Sequence, residues 1–240
     1  MSERFFLWES LEAGRSLLSK EESHHFLRVM RGRPGDDLIV FDGTGWEAAA
    51  SAVEVTAGRV RIEIREKREV SREAPRKLDL GVAIPKGPRM GSMLRSLTEL
   101  GVRRVFPLRT ARGSVRPRPG IEERWQRFVV EASKQCGRNL LLEVEETRTL
   151  QELLPSLGEY SLRLLAHPEG EQTLADHLSS SAALSPAIAL IGPEGGFTSA
   201  ESGAAIAAGF LPLRLAPSIL RLETAACAAA TAILIARDTG

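Results

Sequence analysis

Ala187-Ile188-Ala189-Leu190-Ile191, then Gly192-Pro193-Glu194-Gly195-Gly196-Phe197, then Thr198-Ser199-Ala200-Glu201, is the stretch from which the fold is read. The apolar run reads as a buried strand, and the glycine-rich segment as the loop beyond its carboxyl end. Thr198 with Glu201 three residues later is a capping box, opening a helix carried to about residue 208. Ligands of open α/β sheets sit beyond the carboxyl ends of strands, and glycines let the backbone approach them without a Cβ in the way. The loop is neither G-x-G-x-x-G nor a Walker loop and has no lysine to hold a phosphate, which argues against dinucleotide or ATP binding. Gly-rich turns also join strands to helices without any ligand, so the spacing alone does not decide.

Working outward, the same pattern recurs. Leu213 to Leu215 is a short apolar run, followed by Ala216-Pro217-Ser218-Ile219-Leu220 and then Arg221-Leu222-Glu223-Thr224-Ala225-Ala226. Leu162 to Ala166 ends in His167-Pro168-Glu169-Gly170. Three such loops can converge on one pocket. His167 is either a ligand-contacting, proton-handling group or a structural hydrogen-bonder. Upstream, Leu80 to Ile84 reads as a strand, and Met90, Met93, Leu94, Leu97 and Leu100 lie at helical spacing, stopped by Gly101. Val102 to Leu108 is a further strand and Ile121 to Gln135 a helix; another helix is expected at about 174 to 180. The alternation predicts an α/β domain with mostly parallel strands. It ends in an Ala-rich helix, Glu223 to Arg237, suited to close packing against another helix or subunit.

The first 70 residues differ. Arg4 to Leu7 is a short strand, and Ser19 with Glu22 looks like a capping box opening a helix through Val29. Asp37 to Phe41 and Trp46 to Val55 flank the turn-forming Asp42-Gly43, and Val60, Ile62 and Ile64 alternate with charged residues, so a hairpin and a half-wet strand are expected. The charged stretch Arg65 to Lys77 contains Pro75 and reads as a linker. The expected organisation is a small β-rich domain over 1–70, a linker over 71–77 and an α/β domain over 78–240.

Composition narrows the functional classes. The 240 residues are 43% hydrophobic, enough for packed cores. With 32 Lys and Arg against 31 Asp and Glu, the chain is not a globally supercharged nucleic-acid binder. Residues 1–140 nevertheless hold 27 basic against 19 acidic side chains, and residues 141–240 hold 5 against 12. Within 86–118 the basic residues are Lys86, Arg89, Arg95, Arg103, Arg104, Arg109, Arg112, Arg116 and Arg118, against the single acid Glu99. Arginine suits bidentate phosphate contact, although a solvated helix face and loop would look the same. Two cysteines, Cys136 and Cys227, support neither a disulfide scaffold nor a thiolate metal site, and no metal is implied. His24 and His25, adjacent in sequence, suit packing or surface roles. Phe5 to Trp8 is too short for a signal-peptide core and Ala225 to Ala236 too short for a membrane span, so a soluble cytoplasmic chain is expected.

Motifs spread along nearly the whole chain carry a resemblance. They are His24-His25 with Val29-Met30-Arg31 and Pro34-Gly35-Asp36; Lys86-Gly87 and Arg89-Met90; Thr98-Glu99-Leu100-Gly101-Val102; Arg124-Trp125; Glu131-Ala132; and Gln135 with Gly137-Arg138-Asn139. To these add Gly192 to Phe197, and Ile219-Leu220-Arg221 with Glu223-Thr224-Ala225. In these residues the chain resembles the ribosomal RNA small subunit methyltransferase E family, whose members methylate N3 of a uridine in 16S rRNA using S-adenosylmethionine. The resemblance implies a PUA-like RNA-binding domain followed by a SPOUT-type methyltransferase domain with a C-terminal trefoil knot, active as a homodimer. By the same resemblance Leu165, His167, Ile191, Gly192, Gly195, Gly196, Leu215 and Leu220 line the methionine-nucleoside pocket.

Departing from the family pattern are Ser96-Leu97 before Thr98, Ala216-Pro217-Ser218 before Ile219, Leu222, and Thr110-Ala111-Arg112-Gly113-Ser114. They spare the cofactor glycines and touch groups expected near RNA. Methyl transfer from a sulfonium needs alignment and water exclusion. Uridine N3 must also lose a proton, leaving charge on the base carbonyls that a fixed guanidinium stabilises. Arg221 and Arg138 are the candidates for that role, and Glu194 and Glu223 for proton acceptor, although either could equally cap a helix or pair with an arginine. RNA contacts are expected from Lys86, Arg89, Arg109, Arg112 and Arg116, with Arg28 and Arg31 of the first domain. Two alternatives stay open: a non-catalytic RNA-binding or ribosome-assembly protein, and a related methyltransferase acting on another RNA position.

Overall fold

The computed structural model describes residues 3–168, 170 and 185–235, and divides the chain into two compact units. Residues 1–73 with 130–141 form the first; residues 74–129 with 142–240 form the second. Residues 130–141, read from the sequence as part of the α/β domain, are thus grouped with the first unit.

The first unit is built on five strands: β1 (Arg4–Phe6), β2 (Gly14–Leu17), β3 (Asp37–Phe41), β4 (Trp46–Thr56) and β5 (Arg59–Glu69), in the order β1-β3-β4-β5-β2. The hairpin at Asp42-Gly43 is present: β3 and β4 are antiparallel, and Asp42 Oδ1 accepts from the Thr44 amide at 3.1 Å. Alternation along β5 buries Val60, Ile62 and Ile64 against Phe5, Leu18, Phe26, Leu38 and Val40. Each such fully buried side chain contributes about 1.5–3 kcal/mol relative to exposure.

Two local expectations are corrected here. The linker does not begin at Arg65, because β5 runs to Glu69 and pairs with Trp46; charged side chains are compatible with a strand whose ladder partner is in place. Ser19 caps helix α1 (Lys20–His24), which continues as a π turn over His25–Val29, by accepting from the Glu22 amide at 3.1 Å. The Glu22 carboxylate does not close the capping box; it takes the Lys134 ammonium at 2.7 and 2.8 Å. The unit also holds a buried hub at Glu47, which accepts from Arg4, Arg68, Arg72 and Asn139. Burial opposes ionisation of Glu47, but these donors outweigh it and hold its pKa at about 2.

In the second unit the strands are β6 (Leu78–Ala83), β7 (Arg104–Arg109), β8 (Glu143–Val144), β9 (Arg148–Thr149), β10 (Leu162–Ala166), β11 (Ala187–Ile191) and β12 (Leu211–Leu213). They run β12-β10-β11-β6-β7-β8, with β9 also on β7, and every pairing is parallel. The helices are α2 (Arg89–Leu100), α3 (Ile121–Cys136, whose residues 121–129 belong to this unit), α4 (Leu150–Leu153), α5 (Ser199–Ala207) and α6 (Leu222–Ile235). Gly101 ends α2 with φ +91°, as its position suggested. The last apolar run forms its strand two residues early, at Leu211–Leu213 rather than 213–215. Pro212 is tolerated there because β12, among the described residues, is an edge strand paired on one side. The helix expected at 174–180, and the end of the last helix beyond 235, lie outside the described residues.

No helix among the described residues is long and apolar enough to cross a membrane.

Candidate functional site

The carboxyl ends of β10, β11 and β12 open into a solvent-facing cleft that encloses about 100 Å³. Each of the three loops read from the sequence contributes. His167 and Pro168 come from the β10 loop, Ile191, Gly192, Pro193, Glu194 and Gly196 from the β11 loop, and Arg214 to Ala216 with Ser218 to Leu220 from the β12 loop. Leu222 and Ala225 close it from the first turn of α6. Backbone bonds fix the loops: the His167 amide donates to Leu213 O at 2.9 Å and the Gly196 amide to Pro193 O at 2.8 Å. Gly196 sits at φ +69°, which a side chain would strain, and the Phe197 ring packs beneath Gly192. Thr198 and Glu201 form the expected capping box at the start of α5.

Six of the eight expected cofactor residues line this cleft: His167, Ile191, Gly192, Gly196, Leu215 and Leu220. Leu165 does not. Alternation along β10 turns it into the core with Ile188 and Phe210, while its neighbour Ala166 faces the cleft. Gly195 is exposed and offers its carbonyl to Arg112 at 2.7 Å instead. Ile219, which the sequence offers with Leu220 as an apolar ligand face, also lines the cleft, as do Pro193, Arg214, Ala216, Ser218, Leu222 and Ala225, which sequence reasoning does not single out as cofactor contacts. Their signal was adjacency to the three loops; Ser218 and Leu222 had been marked only as departures.

The acid–base candidates are arranged around Arg89, at the start of α2. Its guanidinium lies 2.9 Å from Glu194 and 3.6 Å from Glu223. Glu194, on the cleft wall, is held below the usual carboxylate range by its own backbone amide and then by Arg89. Glu223 Oε2 is buried and accepts no hydrogen bond from the described residues. Arg221 is exposed, beside the cleft-lining Leu220 and Leu222. Arg138 lies in the first unit, 3% exposed, with its guanidinium on Glu73 at 2.6 and 2.8 Å; it does not line the cleft.

The basic stretch divides by position. Arg103 and Arg104 are at the other end of the sheet. There Arg103 holds the fully buried Asp79 at 2.5 and 2.8 Å, and Arg104 pairs with Glu143 at 3.1 Å. Arg95 stacks over Phe128 at 4.3 Å. Lys86, Arg109 and Arg116 are exposed, with Arg109 3.6 Å from Glu152. Arg28 and Arg31 are exposed on the first unit. Arg112 donates to the carbonyls of Gly195 and Phe197 at 2.7 and 3.4 Å.

Chemically, the cleft offers apolar walls for a heterocycle (Ile191, Leu215, Leu220), glycine backbone for close polar contact and an anionic Glu194 for a cation. These residues fit a methionine-linked nucleoside. No group of three His, Cys, Asp or Glu among the described residues is placed to hold a metal.

Known proteins share these features. Residues 72–234 match the RNA methyltransferase domain and residues 18–64 the RNA methyltransferase PUA domain. The chain is 33% identical to the ribosomal RNA small subunit methyltransferase E of Synechocystis, over 87% of this chain and 69% of that one. With its namesake from Bacillus subtilis it shares 30% identity over 92% and 90%. Among solved structures, a Legionella pneumophila protein with bound cofactor SAM superposes with TM-score 0.90 at 33% identity, covering 97% of each chain. The Neisseria gonorrhoeae ribosomal RNA small subunit methyltransferase E, bound to S-adenosyl methionine, superposes with TM-score 0.87 at 32% identity, again over 97% of each chain.

Proposed function

The chain belongs to the ribosomal RNA small subunit methyltransferase E family, and from that premise we propose that it methylates N3 of a uridine in 16S rRNA with S-adenosylmethionine as donor. The observation that carries this reading is the convergence of the β10, β11 and β12 loops on one cleft whose glycine backbone and apolar walls suit a methionine-linked nucleoside. The domain reading goes with it: a PUA-like RNA-binding domain over 1–70, a linker over 71–77 and a SPOUT-type methyltransferase domain over 78–240. A C-terminal trefoil knot and a homodimer acting in the cytoplasm on the small ribosomal subunit belong to the same proposal.

When bound, the donor supplies an electrophilic methyl group on a sulfonium. The chain's own residues do the rest. The backbone at Gly192 and Gly196 and the walls at Ile191, Leu215 and Leu220 would hold the nucleoside part, and the carboxylate of Glu194, also on the cleft wall, would offset a positive charge bound there. Arg221, exposed at the start of α6, is free to swing to a uracil carbonyl, where charge builds as the N3 proton leaves. Glu194 lines the cleft and is hydrogen-bonded to Arg89, while Glu223 keeps one oxygen that accepts no hydrogen bond from the described residues but does not line the cleft; these two are the candidate proton acceptors. Target-base unstacking precedes the step.

The test is incubation with radiolabelled S-adenosylmethionine and 30S subunits from cells lacking the gene, followed by nucleoside analysis of the 16S rRNA. Labelled N3-methyluridine is expected. Label in another nucleoside or on ribose would overturn the N3 assignment, and no label despite proven cofactor binding would favour a non-catalytic role. RNA affinity should also fall steeply between 50 and 200 mM salt in a filter-binding titration, by about tenfold or more. Salt-independent affinity would remove the phosphate-contact part of the reading.

A further inference from the structure

The loop that follows β7 is basic, with Arg109, Arg112, Arg116 and Arg118 exposed along it, and it is fastened to the glycine loop at two adjacent residues. Ala111 donates its amide to Glu201 Oε1 at 2.9 Å. Arg112 donates through Nη1 to the carbonyl of Gly195 at 2.7 Å and lies 3.4 Å from that of Phe197, while its aliphatic stem lies over Gly195, where an added Cβ would stand 3.6 Å from Cδ. Glu201 serves both sides of this joint. Its Oε2 closes the capping box on Thr198, accepting from the amide at 2.8 Å and the hydroxyl at 2.9 Å, while Oε1 reaches Ala111. Burial opposes its ionisation, but the amides of Thr198 and Ala111 outweigh burial and keep it charged. The glycine loop therefore has two carbonyls pinned by a side chain from the basic loop, and the helix behind it is capped by a residue that also binds that loop's backbone.

Resting on the methyltransferase reading above, we propose that Arg112 is a positioning residue that couples the two ligands. By holding the Gly195 and Phe197 carbonyls it gives the glycine loop its cofactor-binding shape, and it does so best when the basic loop is ordered against RNA phosphates. Binding at one site then favours binding at the other, by the same factor in both directions. A guanidinium suits this role because one nitrogen, Nη1, carries two hydrogens and reaches both carbonyls from a rigid planar group. Arg116 is exposed on the same loop, four residues on, and contributes charge without entering the joint.

The experiment measures the affinity of the full-length protein for 30S subunits from cells lacking the gene, with and without saturating S-adenosylhomocysteine, which fills the cofactor site without turnover. Wild type should bind the subunits at least about fivefold more tightly with the nucleoside present, and calorimetry should show the reciprocal gain. Arg112→Ala should keep the wild-type circular dichroism and melting temperature, as befits an exposed side chain, yet lose the coupling to less than about twofold. Arg112→Lys, which keeps the charge and the donors but loses the rigid guanidinium plane and some reach, should recover part of it. Arg116→Ala should weaken subunit binding equally in both conditions and leave the coupling factor intact. An unchanged coupling factor in Arg112→Ala, or an equal loss in Arg116→Ala, overturns the proposal. Failure of the wild type to bind S-adenosylhomocysteine would instead overturn the methyltransferase reading and the coupling with it, a result distinct from either.

Discussion

Where the strands of the second unit begin, Asp79 is completely buried and fully served: Arg103 grips it with two nitrogens, at 2.5 and 2.8 Å, and the Tyr160 hydroxyl donates at 2.6 Å. Where the same strands stop, Glu194 and Glu223 share one guanidinium, at 2.9 and 3.6 Å, and a buried oxygen of Glu223 accepts no hydrogen bond from the described residues. Both ends carry arginine and carboxylate in similar measure. What differs is saturation. A buried carboxylate with both oxygens accepting from fixed donors holds structure, and any change in it registers in stability. A carboxylate with capacity to spare can accept a proton or a ligand, and a change in it registers in function. Net charge along the sequence does not make this distinction, which is why a basic stretch such as 86–118 splits between the two ends.

The contrast can be broken from either side. Asp79→Ala removes the buried carboxylate that Arg103 and Tyr160 serve, leaving Arg103, among the described residues, only its contact with Glu159 at 3.4 Å, and should cost about 3 kcal/mol of unfolding free energy by denaturant titration. Affinity for S-adenosylhomocysteine, measured where the variant is folded, should stay within about twofold of wild type. A variant of normal stability would show that the beginning of the sheet is not held by charge. At the other end, Arg221→Ala should lower kcat by about 10²–10³ with the melting temperature unmoved. A loss confined to KM would mean that Arg221 binds RNA rather than acting on the base.

Smaller effects sharpen the comparison. Tyr160→Phe removes one hydrogen bond to a charged group and should cost about 1.5–3 kcal/mol in the same titration, less than Asp79→Ala because the ion pair survives. The phenol itself is pushed to higher pKa by burial and then by Asp79, so this contribution should not change across the neutral range. The smallest change is expected for Glu201→Gln, about 1 kcal/mol for a weakened helix cap. Glu201 is held below the ordinary carboxylate pKa, so its stabilisation is present above that value and is lost as pH falls through the lowered one. The wild type and the Gln variant should therefore converge in stability on acidification, and a gap that widened would refute the assignment.

What the sequence made legible was local. The strand 187–191, the capping box at Thr198 and Glu201, and the helix 89–100 with its glycine stop are each specified by residues within one turn or one strand of each other. The strand ends of three separate runs were enough to foresee one cleft, because parallel strands put their loops on the same side. Long-range pairing was not legible. Asp79 lies in an apolar strand and finds Tyr160 81 residues away, and Arg89 finds Glu194 at a separation of 105. The strands β8 and β9 are two residues each, too short to show any period. Arg65 to Glu69 hid a strand because its partner, not its composition, makes it one. Leu165 packs in the core while its neighbour Ala166 faces the cleft, because a single step of alternation reverses the face on which a side chain falls.

The outermost strand of the parallel sheet is three residues long and has Pro212 at its centre. A proline has no amide hydrogen to offer, so this margin presents an interrupted ladder to any extended segment that approaches it. Growth of the sheet by recruiting another chain's strand is thereby discouraged on that flank. On this flank, the proline removes one route to strand-by-strand aggregation.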